Sequence, residues 1–70
     1  MFKPIHLKNG KIVQSMSDAR LLIERIGTRE RSEAVWVNAI AEYNNAVFDS
    51  RREEAASKLL HSALVASGRA

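Results

Sequence analysis

The chain has 70 residues, enough for one small domain, and Leu, Ile, Val and Phe make up about a quarter of them, more than disordered chains contain. The absence of cysteine excludes a disulfide framework and a thiolate metal site. The net charge of +3 is carried by residues 1–15, which hold three lysines and no acid, and it is too small to indicate nucleic-acid binding by itself.

The first predicted element is a β-hairpin over about residues 4–14. Asn9-Gly10 favours a two-residue type I′ turn, because both residues tolerate the positive φ that this turn requires. This turn would place Ile5, Leu7 and Ile12 together on the face that meets the core. An isolated hairpin has two open edges that invite pairing with another chain. The predicted register has four pairs: Lys8–Lys11, Leu7–Ile12, His6–Val13 and Ile5–Gln14.

The first predicted helix spans about residues 16–26. Ser15 is its expected N-cap, and Asp18 is the expected capping-box partner, near the positive end of the helix dipole. Gly27 follows the helix and suits a left-handed stop. The apolar positions of this helix recur at helical spacing: Ala19, Leu22, Ile23 and Ile26.

The second predicted helix spans about residues 30–48 and follows a polar bridge in which Thr28 or Ser32 is the cap. Trp36 lies on its apolar stripe, so its ring is predicted to be mainly buried. Where Val35 and Val37 are not buried with it, the remainder forms an apolar patch suited to a partner. The stripe contains Trp36, Ala39, Ile40, Tyr43, Ala46 and Val47.

The third predicted helix spans about residues 51–67. Ser50 and Glu53 form a capping box at its start, and Gly68 ends it. The order of elements predicts one α+β domain over residues 1–70, an N-terminal β-hairpin followed by three helices (ββααα). The buried stripe of the last helix contains Ala56, Leu59, Leu60, Ala63 and Leu64.

A further pattern of small and apolar residues extends over nearly the whole chain: Phe2, Pro4, Ile5, Leu7, Gly10, Ser15, Ala19, Leu22, Ala39, Ala46, Ala55, Ala56, Ala63 and Gly68. This pattern resembles that of the small bacterial proteins known as domain of unknown function 982. Members often carry Trp-Pro where this chain has Ile26-Gly27, and Cys where it has Tyr43. The resemblance implies a fold and brings no activity with it.

No residue pattern typical of catalysis occurs in the chain. His6 and His61 would need to converge with a carboxylate such as Asp18, Glu53 or Glu54 to form a catalytic or metal site, and their spacing shows no ligand motif. The serines include no nucleophile elbow, and the three glycines form no phosphate-binding loop. The sequence therefore predicts a protein that is not an enzyme and has no cofactor.

The hairpin carries the candidate contact residues Lys3, His6, Lys8 and Lys11, which would suit nucleic-acid phosphate. Lysines on open strand edges also protect against aggregation, which is the alternative explanation.

We therefore predict a non-enzymatic protein-interaction or regulatory module, with weak nucleic-acid binding through the basic hairpin as the alternative. Its small size and open edges favour a homodimer that joins two hairpins into a four-stranded sheet. The N-terminal residues lack the apolar run of a signal peptide, and no apolar run is long enough to cross a bilayer. The sequence thus predicts a cytoplasmic protein with no membrane partner.

Overall fold

Two short antiparallel strands and four helices make up the fold, and the computed structural model describes all residues from 1 to 70. The α+β order of the sequence analysis is confirmed in its coarse form, since a hairpin is followed by helices of which three have ten or more residues. The elements are β1 (Ile5–His6), β2 (Ile12–Val13), α1 (Met16–Arg25), α2 (Thr28–Arg31), α3 (Ala34–Phe48) and α4 (Glu53–Ala66), with a 3-10 turn over Ser50–Arg52.

The core lies where α3 and α4 pack along each other beneath the hairpin and α1. Trp36 is its largest fully buried side chain, at 0% exposure, as the stripe predicts. Its indole Nε1–H has no hydrogen-bond partner. Ala39 and Ala63 are also fully buried, one on each of the two helices, and such small residues allow helices to approach closely. The core contains Phe2, Ile5, Val13, Ala19, Ile26, Trp36, Ala39, Leu60, Ala63 and Leu64.

Two members of the predicted apolar stripes are exposed. Val47, near the end of α3, is 55% exposed, and Leu59 on α4 is 39% exposed. Each lies at the margin of its stripe, where the neighbouring elements do not reach. The other predicted stripe positions of α3 and α4 are buried or half-buried.

The hairpin turn differs from the predicted two-residue type I′ turn. Leu7 N–H donates to the Lys11 carbonyl at 2.9 Å, and Gly10 N–H donates to the Leu7 carbonyl at 3.1 Å. Gly10 has φ +87°, whereas no other residue type in the chain has positive φ, so Asn9 cannot occupy a type I′ position. The loop is therefore a three-residue turn, type I followed by a left-handed glycine. Asn9 Oδ1 accepts from the Lys11 N–H at 3.0 Å and holds this turn.

The longer loop shifts the strand register by one residue. Ile5 is opposite Val13, and His6 is opposite Ile12, so the predicted pairing is wrong. Because successive strand residues point to opposite faces, this shift buries Val13 (4% exposed) and turns Ile12 outward (39% exposed). The predicted core position of Ile12 is thus wrong, and an apolar side chain is left on the outer surface.

The start of α1 agrees with the prediction, but its end does not. Ser15 Oγ accepts from the Asp18 N–H at 3.3 Å, which confirms the N-cap. The Asp18 carboxylate accepts from the N–H of Gln14 at 3.0 Å, one residue before the cap, and not from the Ser15 N–H, so the predicted capping box is not formed. Gly27 has φ −65° and is extended, so the predicted left-handed stop is wrong; the chain leaves α1 through an extended Ile26.

The predicted helix over residues 30–48 is divided into α2 and α3. Ser32 Oγ donates to the Arg29 carbonyl at 2.6 Å, and Ser32 ends α2 before Glu33 begins the next element in an extended conformation. At the start of the last helix, the predicted Ser50 cap is replaced by Asp49, whose carboxylate accepts from the Arg51 N–H at 3.1 Å. A 3-10 turn consequently precedes α4.

The helices are shorter than a bilayer requires. The longest, α3, has 15 residues, and no segment combines the length and hydropathy of a membrane-spanning helix.

Candidate functional site

The four contact residues predicted on the hairpin fall into different surroundings. Lys3 Nζ lies 3.0 Å from Glu54 Oε1 on α4, so its charge is partly neutralised. His6 is exposed on β1 and lines none of the recesses described below. Lys8 and Lys11 flank the turn and border the same groove. The structure therefore brings together two of the four predicted residues.

This groove has a volume of about 590 Å³ and lies between the hairpin, α1 and the last residues of the chain. Two of its apolar side chains, Ile12 and Leu21, are 39% and 56% exposed. The groove therefore combines an apolar lining with access from solvent. Its apolar residues are Leu7, Ile12, Val13, Leu21, Leu22 and Ile26.

The charged residues around the groove are mostly basic. Lys8, Lys11 and Arg25 line it and make no ion pair. Asp18 is the one acidic lining residue, and its carboxylate accepts the Gln14 N–H. Unneutralised cations beside an apolar surface create a positive local potential, which attracts negatively charged groups. We call this site the basic groove.

Arg69 closes one end of the basic groove and is held by an ion pair. Its Nη1 donates to Glu30 Oε2 on α2 at 2.6 Å, with the two side chains 40% and 25% exposed. The hydrogen bond from Arg69 lowers the pKa of the Glu30 carboxyl below its ordinary value, and the same bond raises the pKa of Arg69. Because its charge is neutralised, Arg69 serves as a structural brace more than as a ligand for anions.

The end of the groove depends on a helix stop that the sequence predicts. Gly68 has φ +78°, and its N–H donates to the Val65 carbonyl at 3.1 Å, while Arg69 N–H donates to the Leu64 carbonyl at 2.8 Å. These two bonds form a Schellman motif and turn the chain back. The Arg69 carbonyl then accepts from Lys8 N–H at 2.9 Å, so the tail is bound to the hairpin loop.

No metal-binding cluster lies in the groove or elsewhere in the structure. No three His, Asp or Glu side chains lie close enough together to hold a metal ion. His61 borders a smaller recess of about 160 Å³ that also contains Lys3 and Ser57. The Ser57 hydroxyl donates to the Glu54 carbonyl at 2.7 Å and accepts from Lys3 N–H at 3.2 Å, so it links the segment before β1 to α4.

Of the residues that line the basic groove, the sequence analysis predicted only Lys8 and Lys11 as contact residues, and it did not assign Leu21, Arg25 or Arg69 to a site. Leu21 and Arg25 lie four residues apart on α1, on the side away from its apolar stripe, and this spacing was a usable signal. Arg69 gave no local signal, because its partners are distant in sequence.

Comparisons with protein-family models, curated proteins and solved structures find no match for this chain. The resemblance to domain of unknown function 982 therefore stays a prediction.

Proposed function

We propose that this chain is a non-enzymatic interaction module of the cytoplasm that binds an acidic, amphipathic segment of a partner protein in the basic groove. The observation that carries the proposal is the coincidence of exposed Ile12 and Leu21 with three cations that make no ion pair. A partner segment with apolar and acidic side chains would complement both features.

The two features have different physical roles. Complete burial of one aliphatic side chain contributes about 1.5–3 kcal/mol, so covering the exposed parts of Ile12 and Leu21 supplies affinity. Rim charges such as Lys8 and Lys11 act mainly on the association rate and on the choice of partner. The expected complex is therefore weakened by salt but keeps an apolar contribution that salt does not remove.

Weak nucleic-acid binding stays the second candidate, because Lys8, Lys11 and Arg25 are free to contact phosphate. Lys3 supports it less, since Glu54 lies 3.0 Å from its ammonium group. Salt distinguishes the two candidates, because the logarithm of the binding constant for nucleic acid falls steeply and linearly with the logarithm of the salt concentration.

The test is an NMR titration of the ¹⁵N-labelled protein with a synthetic peptide of alternating glutamate and leucine, and separately with a single-stranded oligonucleotide. We expect saturable shifts in the peptide titration at Ile12, Leu21 and Arg25. Leu21→Glu should abolish them, because it places an acid in the groove. Val65→Glu is the matched control, since Val65 is 53% exposed on α4 and outside the groove.

Peptide shifts that map elsewhere, or that persist in Leu21→Glu, would contradict the proposal. Tighter binding of the oligonucleotide with a steep salt dependence would favour the second candidate.

A further inference from the structure

The exposed face of α3 is free of charge, although 27% of the chain's residues are charged. At about 100° per residue, seven exposed positions of α3 fall within an arc of about 120°. The one charged residue of α3, Glu42, lies off this arc and binds Arg52 at 3.1 Å. The seven residues are Ala34, Val37, Asn38, Ala41, Asn44, Asn45 and Phe48, and we call them the neutral face.

The neutral face has the spacing of a helix–helix seam. Ala34, Val37, Ala41, Asn44 and Phe48 follow one another at alternating intervals of three and four residues, which is the a/d pattern of a coiled coil. Phe48 is 93% exposed and Val37 is 50% exposed, so large apolar side chains of this seam have no partner within the chain. The helix therefore has one side in the core and a second, uncharged side in solvent.

We propose that the neutral face binds the same face of a second copy, with the two α3 helices antiparallel and the two-fold axis at Ala41. In that arrangement, residues equally distant from Ala41 lie opposite each other. Ala34 then receives the partner's Phe48, and the small residue leaves room for the large one at both ends of the contact. Asn38 meets the partner's Asn44, and two amides can each donate and accept.

Charge explains why a second copy fits this face better than other occupants. A two-fold contact brings the same patch of both copies together, so a patch with charge of one sign would repel its copy, whereas a neutral patch does not. The hairpin is less suited to self-pairing, because it would bring Lys8 and Lys11 of both copies together, and the Lys8 N–H is already bound to Arg69. An acidic segment or a nucleic acid finds no opposite charge on the neutral face.

The length of α3 sets the strength of this contact. Its 15 residues extend over about 22 Å, so a pair of such helices buries less than the area of a standard stable interface. We therefore expect a dissociation constant on the order of tens to hundreds of micromolar. This dimer takes the place of the four-stranded sheet that the sequence suggests, and it is independent of the basic groove.

Sedimentation equilibrium between about 10 µM and 1 mM tests the proposal. We expect the mass to rise above 7.8 kDa with concentration. Ala41→Glu places two carboxylates at the axis and should weaken association by at least about tenfold, whereas Val65→Glu on α4 should leave it unchanged. A mixture of Ala41→Glu and Ala41→Lys should associate again, because unlike charges then meet.

A wild-type monomer at the highest concentration would overturn the proposal. Association that persists in Ala41→Glu would overturn it as well. If association is lost in Ile12→Glu but not in Ala41→Glu, the dimer forms through the hairpin instead.

Cysteine cross-linking tests the orientation, since the chain has no cysteine of its own. Under mild oxidation, a mixture of Ala34→Cys and Phe48→Cys should form a mixed disulfide dimer, while either variant alone should not. Efficient cross-linking of Ala34→Cys with itself would reject the antiparallel arrangement.

Discussion

Substitution of Trp36 gives the most direct measure of how the core is held. The side chain is fully buried, and no other fully buried side chain is larger. Removing a buried Trp usually costs about 3–5 kcal/mol. The indole N–H has no partner, however, and a buried unpaired donor itself costs about 1–3 kcal/mol. Trp36→Ala removes that penalty along with the ring, so we expect a net loss near the lower end, about 3 kcal/mol.

A domain of 70 residues has a total stability of roughly 4–10 kcal/mol. A loss of about 3 kcal/mol would therefore leave Trp36→Ala folded but with a stability of only about 1–7 kcal/mol. Urea unfolding followed by circular dichroism measures this loss, because the variant has no other Trp to report by fluorescence. In the parent, the fluorescence of Trp36 should be blue-shifted and protected from acrylamide.

Trp36→Phe measures the contribution of the aromatic ring. Both variants remove the unpaired N–H, but Trp36→Phe retains a ring in the core, so its cost should be clearly smaller than that of Trp36→Ala. Equal costs for both variants would refute the argument that packing of the ring holds the core. A Trp36→Ala variant within about 1 kcal/mol of the parent would refute the core assignment itself.

Three further changes test single features of the fold. Gly10→Val should lower the free energy of unfolding, measured in urea, by about 1–2 kcal/mol, because Gly10 has φ +87°. Gly27→Ala is the control, because Gly27 has an ordinary φ of −65° and open space around an added Cβ. It should be neutral or slightly stabilising. Asp49→Ala should lower the thermal midpoint through the lost cap, and an unchanged midpoint would reject that role. Arg69→Gln should raise the pKa of the Glu30 carboxyl, measured by NMR titration. In the parent this pKa is lowered, so the Glu30–Arg69 pair stabilises the fold fully above about pH 4.5, and this stabilisation is lost as pH falls.

The helices could be predicted well because their signal is local. The spacing of apolar residues in α3 predicts that Trp36 and Ala39 lie in the core, and both are fully buried. The hairpin register could not be fixed in the same way. Asn9-Gly10 fits a two-residue turn and a three-residue turn alike, since both place Gly10 at positive φ. Ile12 and Val13 are both apolar and β-branched, so the sequence does not decide which of them faces inward.

The basic groove could not be predicted from local sequence patterns, for a different reason. Arg69 reaches Glu30 across 39 positions of sequence, and its carbonyl binds Lys8 across a still longer separation. Such contacts follow from how α4 ends over the hairpin, not from the residues beside Arg69. The sequence predicts that the lysines of the hairpin form a contact surface. Only the three-dimensional structure shows that Lys3 pairs with Glu54 while Lys8 and Lys11 line the groove.

Dimerisation through α3 would leave the basic groove open, because no residue of α3 lines it. A dimer would therefore present two grooves, and a probe with two acidic segments joined by a flexible linker should bind it more tightly than a single segment does. The gain depends on the effective concentration of the second segment and disappears where the linker cannot span the two sites. Ala41→Glu should remove this gain and leave the affinity for a single segment unchanged, whereas Leu21→Glu should abolish both. Isothermal titration calorimetry with a series of linker lengths measures the difference. Equal affinity for single and double probes at every length, in a protein concentrated enough to dimerise, would show that the two surfaces do not act together.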